Sequence, residues 1–449
     1  MPYQNEFARG DSLWRLIESP SVQEFKGVIR QSENQESHAL PAQLNPPRGS
    51  NNIRRVIAID GSSVTHRVQN GYPGAEAALL HWAAIVLKLQ AIRNISRNYI
   101  PSPNEMRDME QCDTLSAVLP GRNVVRRDEP KDSSKRFFRA TVSQELETAR
   151  LDPEHETLLE TLRAITLGRQ EAKISCPIDD CPLEDPGKWI KPEQGTTVCS
   201  CEQNEAIYET DVLRAHERYE EYGSSEQAFT AIRQVIEHLM MVNILRYFER
   251  TDSLGVFRDT AFIMDGPLAI FGMPAWLKPY IEAEIVRLHK KAKEQGDSGI
   301  LLMGIEKSGQ FLDHLNELDW GEKVGPGKRL ENCTALAPDI DYIHKHIALR
   351  PPNAKPHGKD TYYGRKVLYK NRAGQHSVIM TPIVNAYGQD LQCVEEAAYP
   401  RIGEALDIMD ELATYLYKDG FAPLVRAHAH AAIPLKAGAS ILERIFREE

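Results

Sequence analysis

Residues 54–64 read RRVIAIDGSSV. Val56, Ile57, Ala58 and Ile59 form an apolar run of strand length that stops at Asp60-Gly61, and an apolar run bounded by a turn-forming pair reads as a buried strand. The ending recurs: IAIDG at 57–61 and FIMDG at 262–266 each deliver an Asp, followed by Gly, to the end of a hydrophobic segment. A third strand, GILLMGI at 299–305, runs into Glu306-Lys307-Ser308-Gly309. Outward from these, residues 225–250 and 274–295 carry helical periodicity, as do 140–172 with a break at Pro153. Residues 207–222 also read as helix, and so do 401–418 and 425–447. The apolar stretch at 71–89 fits a buried strand or a helix equally, because periodicity does not separate the two. Residues 100–135 read as charged loop, and GRKVLYK, NRAG and QHSVIMTPIV as a β-hairpin across 363–384. Strands separated by long helices give a mixed α/β fold.

The 449 residues are 41% hydrophobic and 26% charged, with a net charge of −10. That is the composition of a globular protein with a sizeable core. No stretch approaches the roughly 18 apolar residues of a membrane span. The first twenty residues lack the basic-then-apolar order of an export signal. With an odd count of seven Cys, this places the chain in a reducing cytoplasm. Net acidity argues against indiscriminate phosphate binding but leaves room for a local basic groove. Residues 1–50 read as a polar helical arm and linker, 51–449 as the main body, and 174–203 as an inserted Cys-rich module.

Two Asp residues at the ends of neighbouring strands repel unless a cation lies between them, and hard oxygen ligands suit a divalent metal. Asp-Gly is also a common turn, so Asp60 and Asp265 stand between a metal site and two ordinary turns. On helix 225–250, Glu237 shares an apolar stripe with Met240, Met241, Ile244 and Phe248. A carboxylate there needs a metal or an ion pair such as Arg233 at i−4. Glu249, beside Arg250 at the helix end, reads as a solvated residue. Lys307 follows a buried strand, where it can neutralise phosphate or sit in solvent at a helix start. His428 and His430 lie two apart, so one at most faces a site. Cys176-x4-Cys181, 17 residues, then Cys199-x-Cys201 is a spacing for tetrahedral Zn²⁺ or for four unrelated thiols. Arg365, Lys366, Tyr369 and Lys370 interleave aromatic and basic residues on the hairpin. Single-strand grooves do the same, and so do ordinary solvated hairpins.

In joint order, IAIDGSS (57–63), FIMDGPL (262–268), GIEKSG (304–309), YYGRKVLYK (362–370) and APLVRAHAHAAI (422–433) resemble the NurA nuclease family, partner of HerA-type ATPases. The resemblance runs from about residue 54 to the C-terminus. The Cys insertion and the arm fall outside the core pattern, as in a larger bacterial version. It implies an RNase H-like mixed sheet flanked by helices, and a homodimer docked on a HerA-type hexameric ATPase. It also implies Mn²⁺- or Mg²⁺-dependent DNA cleavage, by exonuclease and often endonuclease action, in DNA-end processing or anti-phage defence. The family's acids fall on Asp60, Asp265 and Glu237, with Glu249 second; its Lys falls on Lys307 and its late His on His428. Pro267 stands where Ser is usual, and Phe421-Ala422-Pro423 replaces a Tyr-Pro element. Two other readings use the same residues: a metal phosphohydrolase acting on nucleotides, and a non-catalytic adaptor of the ATPase.

Overall fold

The computed structural model describes residues 16–28, 40–49, 52–69, 72–89, 110–127, 132–166, 172–178, 181, 187–190, 195–320, 325–351, 353–382, 396–414 and 420–446. The chain divides into two units, residues 1–39 and 40–449. The first contains helix α1 (Pro20–Val28), which buries no residue. The second is built on nine strands: β1 (Ala42–Leu44), β2 (Arg55–Arg67), β3 (Glu76–Lys88), β4 (Glu110–Pro120), β5 (Thr260–Asp265), β6 (Leu301–Glu306), β7 (Thr334–Ala337), β8 (Gly364–Lys370) and β9 (His376–Pro382). They form one sheet in the order β1-β7-β8-β9-β6-β5-β2-β3-β4. The central strands β6, β5 and β2 are parallel. All other neighbours are antiparallel.

Several local expectations change. The 71–89 segment is a strand, paired on both sides by β2 and β4 along most of its length. The charged stretch at 100–135 contains β4, where Ala117 and Leu119 alternate into the core and Cys112 packs against the opposite one. Its period-2 pattern is diluted by Glu110, Gln111, Asp113 and Thr114. Residues 207–222 form two 3-10 turns, Glu209–Leu213 and Ala215–Arg218, rather than a helix. The expected arm ends earlier than residue 50, because β1 pairs with β7 at the sheet edge.

One face of the sheet carries α2 (Ser134–Thr148), α3 (Leu158–Thr166), α4 (Glu226–Arg250) and α5 (Lys278–Glu294). Helix α4 has 14 buried residues on nearly all sides, as a helix through the middle of a core must. Helix α6 (Gln310–Leu318) covers β8 and β9 with Phe311 and Leu315. The opposite face holds α7 (Ile402–Leu412) and α8 (Ala422–Ala431), and α9 (Leu435–Phe446) follows. Strand alternation sorts the residues. Ile57, Ile59, Phe262 and Met264 join the α4 core, while Val56, Ala58, Ala261 and Ile263 join the core containing Ala427 and Ala431 of α8. The next residues in the second set are Asp60 and Asp265. Among the described residues no helix is long and apolar enough to cross a membrane.

Candidate metal centre

Strand β2 does not stop at Asp60-Gly61. It continues to Arg67, with Asp60 opposite Ala83 of β3. What stops is its other neighbour: β5 pairs with β2 only from Arg55 to Ile59. Asp60 is therefore the first residue of β2 past the end of its β5 pairing, and Asp265 is the last residue of β5. This is the C-terminal edge of a parallel strand group, where α/β sheets collect ligands. The two Asp-Gly pairs differ in cause. Gly266 has φ +110°, a left-handed turn that favours glycine. Gly61 makes no turn; a Cβ there would strike Glu237 Oε1 and the Trp82 ring, so its role is close approach.

Helix α8 reaches the edge from the second face. Ala427 and Ala431 are fully buried, and small residues at i and i+4 let a helix lie close to a sheet. Ser62 Oγ donates to the Ala431 carbonyl, tying β2 to α8. His428, on the same helix, places Nδ1 2.9 Å from Asp60 Oδ2 although 368 residues separate them. Its side chain is 66% exposed against 10% for Asp60, so the pair is open to solvent on one side. Asp60, Asp265 and His428 each bring one ligand atom within 4.8 Å of the others. Lys307, just past β6, donates from Nζ to Asp265 Oδ2 at 2.9 Å. Burial and the charge of Asp265 raise the Asp60 carboxyl pKa, opposed by His428 and by the Gly61 N–H.

Glu237 approaches from the α4 face through the gap at Gly61. It is not one of the three converging donors. Its Oε1 pairs with Arg233, which also donates to the Gly61 carbonyl at 3.0 Å. Trp82 Nε1 donates to the Arg233 carbonyl at 3.0 Å. Burial pushes Glu237 up to about 8; Arg233 opposes this, and the charges of Asp60 and Asp265 add to it. Its i−4 contact with Arg233 and its nearness to the two Asp thus coexist. Glu249 lies apart from this group: Arg287 grips it with two hydrogen bonds of 2.6 Å and Lys291 with one of 2.8 Å. Those bonds, Arg287's first, bring its pKa down to about 2.

The hairpin is not a basic surface. Strands β8 and β9 are packed on both faces: Val367, Tyr369 and Ile379 join one core, Leu368 and Val378 another. Tyr369 is fully buried and donates to Asp410 at 2.7 Å. Lys370, 2% exposed, pairs with Asp319 at 2.8 Å. Arg365 is also buried. Lys366 pairs with Glu306 at 2.8 Å and lies over the rings of Phe311 and Tyr362. Tyr369, Lys370 and Arg365 therefore offer DNA no contact surface. A cleft of about 400 Å³ does open beside Asp265, lined by Lys307, Ser308, Phe271, Phe311, Tyr362 and Lys366 among others. Arg233, Gly61 and Trp82 complete the site's frame. Arg233 was legible only as a partner for Glu237 and Gly61 only as part of a turn, whereas nothing local marks Trp82.

The four cysteines of the insertion meet as a second group, with all Sγ atoms within 4.8 Å of one another. Cys176, Cys199 and Cys201 are buried.

No family model and no curated protein matches the chain. Among solved structures, the NurA nuclease from Sulfolobus solfataricus is similar at a TM-score of 0.35 and 10% identity, over 98% of this chain and 96% of that one. A likeness this slight says nothing of chemistry, which rests on the residues themselves.

Proposed function

We propose that the chain is a divalent-metal-dependent DNA nuclease of RNase H-like fold that cuts phosphodiester bonds at the Asp60–Asp265 edge. The observation that carries this reading is the convergence of Asp60, Asp265 and His428 from two strands and a distant helix. The inner order β4-β3-β2-β5-β6 is a meander extended by two strands parallel to its first, which supports the fold assignment. The donors fit a cation. Two carboxylates and an imidazole form a hard, mixed set that Mn²⁺ or Mg²⁺ accepts. Burial first, and then the charge of Asp265, raises the Asp60 carboxyl pKa, and a bound cation would oppose both effects.

Asp60 and Asp265 would hold the ion, His428 would complete the set, and Glu237 would stand behind them. When bound, the ion supplies Lewis acidity toward a phosphodiester and its attacking water. Lys307, already on Asp265, offsets negative charge as it builds on the phosphate oxygens. His428, exposed and bonded to Asp60, forms the solvent side of the site. Trp82 and Arg233 keep Glu237 from turning away. The ordered motifs at 57–63, 262–268, 304–309, 362–370 and 422–433 carry the remainder of the reading: a cytoplasmic homodimer working with a HerA-type hexameric ATPase in DNA-end processing or anti-phage defence. A net charge of −10 and a hairpin turned inward fit an enzyme whose DNA is delivered by such a ring.

The test is degradation of a labelled duplex with Mn²⁺ or Mg²⁺, by wild type and Asp60→Asn, with and without the ATPase. Cleavage of long DNA that needs the metal and Asp60, and rises with the ATPase, is the expected result. Hydrolysis of mononucleotides but not DNA would instead make the site a phosphohydrolase. Wild-type rates in Asp60→Asn would remove Asp60 from the chemistry.

A further inference from the structure

Cleavage as proposed uses none of the four cysteines of the insertion. We propose that Cys176, Cys181, Cys199 and Cys201 hold one Zn²⁺ ion in a closed structural site that braces helix α2 against the rest of the fold.

Spacing argues for one ion. Zinc–thiolate bonds of about 2.3 Å in a tetrahedron place the sulfurs about 3.8 Å apart. Four Sγ atoms all within 4.8 Å need only a slight contraction to reach that. Ligand sulfurs of an iron–sulfur cluster must stand further apart, since the cluster's own atoms lie between them. None of the four is in a disulfide.

The backbone is arranged for thiolates. The Ile178 N–H points to Cys176 Sγ, and the Cys201 N–H to Cys199 Sγ. The N–H groups of Gln203 and Glu205 point to Cys201 Sγ. Donors aimed at sulfur lower the charge a metal-bound thiolate must carry. The turn that makes this possible is local. Asn204, at φ +48°, donates from its N–H to the Cys201 carbonyl at 2.9 Å, and the Cys199 N–H to the Glu205 carbonyl at 2.8 Å. Four sulfurs with no water-bearing position make a closed site, which is structural rather than catalytic.

The same turn connects the module to the core. Glu205 follows the Cys201 turn directly and accepts from Arg139 Nη1 at 2.5 Å. Arg139 also forks onto Asp211 at 2.9 and 2.6 Å. Its side chain is 2% exposed, and those of Glu205 and Asp211 are 5% and 2%. Arg139 belongs to α2, whose Phe138, Val142 and Leu146 pack in the core against the sheet. A buried guanidinium that loses its carboxylates is strongly destabilising. The cysteine turn positions one of those carboxylates, so the ion and the seating of α2 stand or fall together.

The test uses the full chain without an affinity tag, dialysed and assayed by elemental analysis. The expected result is one zinc per chain, released as its thiols are titrated with a mercurial. Cys199→Ser and Cys201→Ser lose it, whereas Cys112→Ser and Asp60→Asn keep it. The Asp60→Asn arm separates this proposal from the nuclease reading. Co²⁺ in place of zinc should show thiolate-to-metal charge transfer and tetrahedral visible bands. Because the wild-type content is measured directly, the proposal survives a cysteine variant that fails to fold. Substoichiometric zinc in the wild type, stoichiometric iron with cluster absorption, or zinc retained in both cysteine variants would each overturn it.

Discussion

The cysteine module and the carboxylate centre are both sets of donor atoms within 4.8 Å, but they are assembled in opposite ways. The four cysteines come from one stretch of 26 residues, and a single tight turn aligns two of them. The carboxylate centre draws on β2, β5 and α8, with Asp60 and His428 368 residues apart. Three of the four cysteines are buried and the fourth, Cys181, is partly so. The Asp60–His428 pair stays open, and a cleft adjoins Asp265. A local, closed set serves to hold chain together, while a distributed, open one is placed by chain already folded and left free to act.

That contrast predicts a separation of activity from stability. The largest effect belongs to Asp60→Asn or Asp265→Asn. Either should lower metal-dependent cleavage by at least about 1000-fold, with Tm unchanged or raised because one of two repelling carboxylates is gone. Scanning calorimetry and cleavage of labelled DNA measure the two halves. Cys201→Ser should behave in reverse, destabilising by roughly 3 kcal/mol through the Arg139–Glu205 pair. Its remaining folded fraction should cut at near wild-type specific activity. A stable, inactive Cys201→Ser protein would erase the distinction between the centres.

Gly61→Ala should blur the line between the two, since a methyl there collides with Glu237 and Trp82. A loss of about 1–3 kcal/mol from overpacking should accompany reduced cleavage. The pH response is smaller. Burial pushes Glu237 from 4.5 to about 8, so the folded chain holds a proton that the unfolded chain releases. That contribution is full below pH 4.5 and disappears as pH rises through about 8. Thermal melts without added Mn²⁺ or Mg²⁺ should show Glu237→Gln flattening the slope across this window; an unchanged slope would place the effect elsewhere. The smallest effect is Glu249→Gln. It should leave cleavage within about twofold and weaken only the half-exposed Arg287–Lys291 network, by roughly 1 kcal/mol. A large loss of cutting would bring Glu249 back as the helix acid.

Much of the fold could be read along the chain wherever pattern and tertiary role agree. The strands around 56–59, 262–264 and 301–305 are continuous apolar segments, and the helix at 226–250 is a 25-residue run without Gly or Pro, so neither needs context. β4 was hidden because its polar positions face outward or lie near the sheet edge. The 71–89 segment looked the same as helix or strand until β2 and β4 gave it partners. In the hairpin, alternating Tyr, Lys and Arg suggested a wet surface. Both faces of its strands are packed, so Lys370, Tyr369 and Lys366 instead find Asp319, Asp410 and Glu306 inside.

Taken alone, the chain determined which chemistry was on offer: two strand-borne aspartates, a buried helix glutamate, a lysine past a strand, and four clustered thiols. Those are properties of residue type and short spacing, and the cysteine turn needs nothing more distant. Only the tertiary structure decided that Asp60 stands beyond the end of its β5 pairing, that Gly61 is a gap rather than a turn, and that His428 reaches Asp60. These depend on where one strand ends relative to its neighbour and on how closely a helix can lie on a sheet, and neither is a property of any short segment.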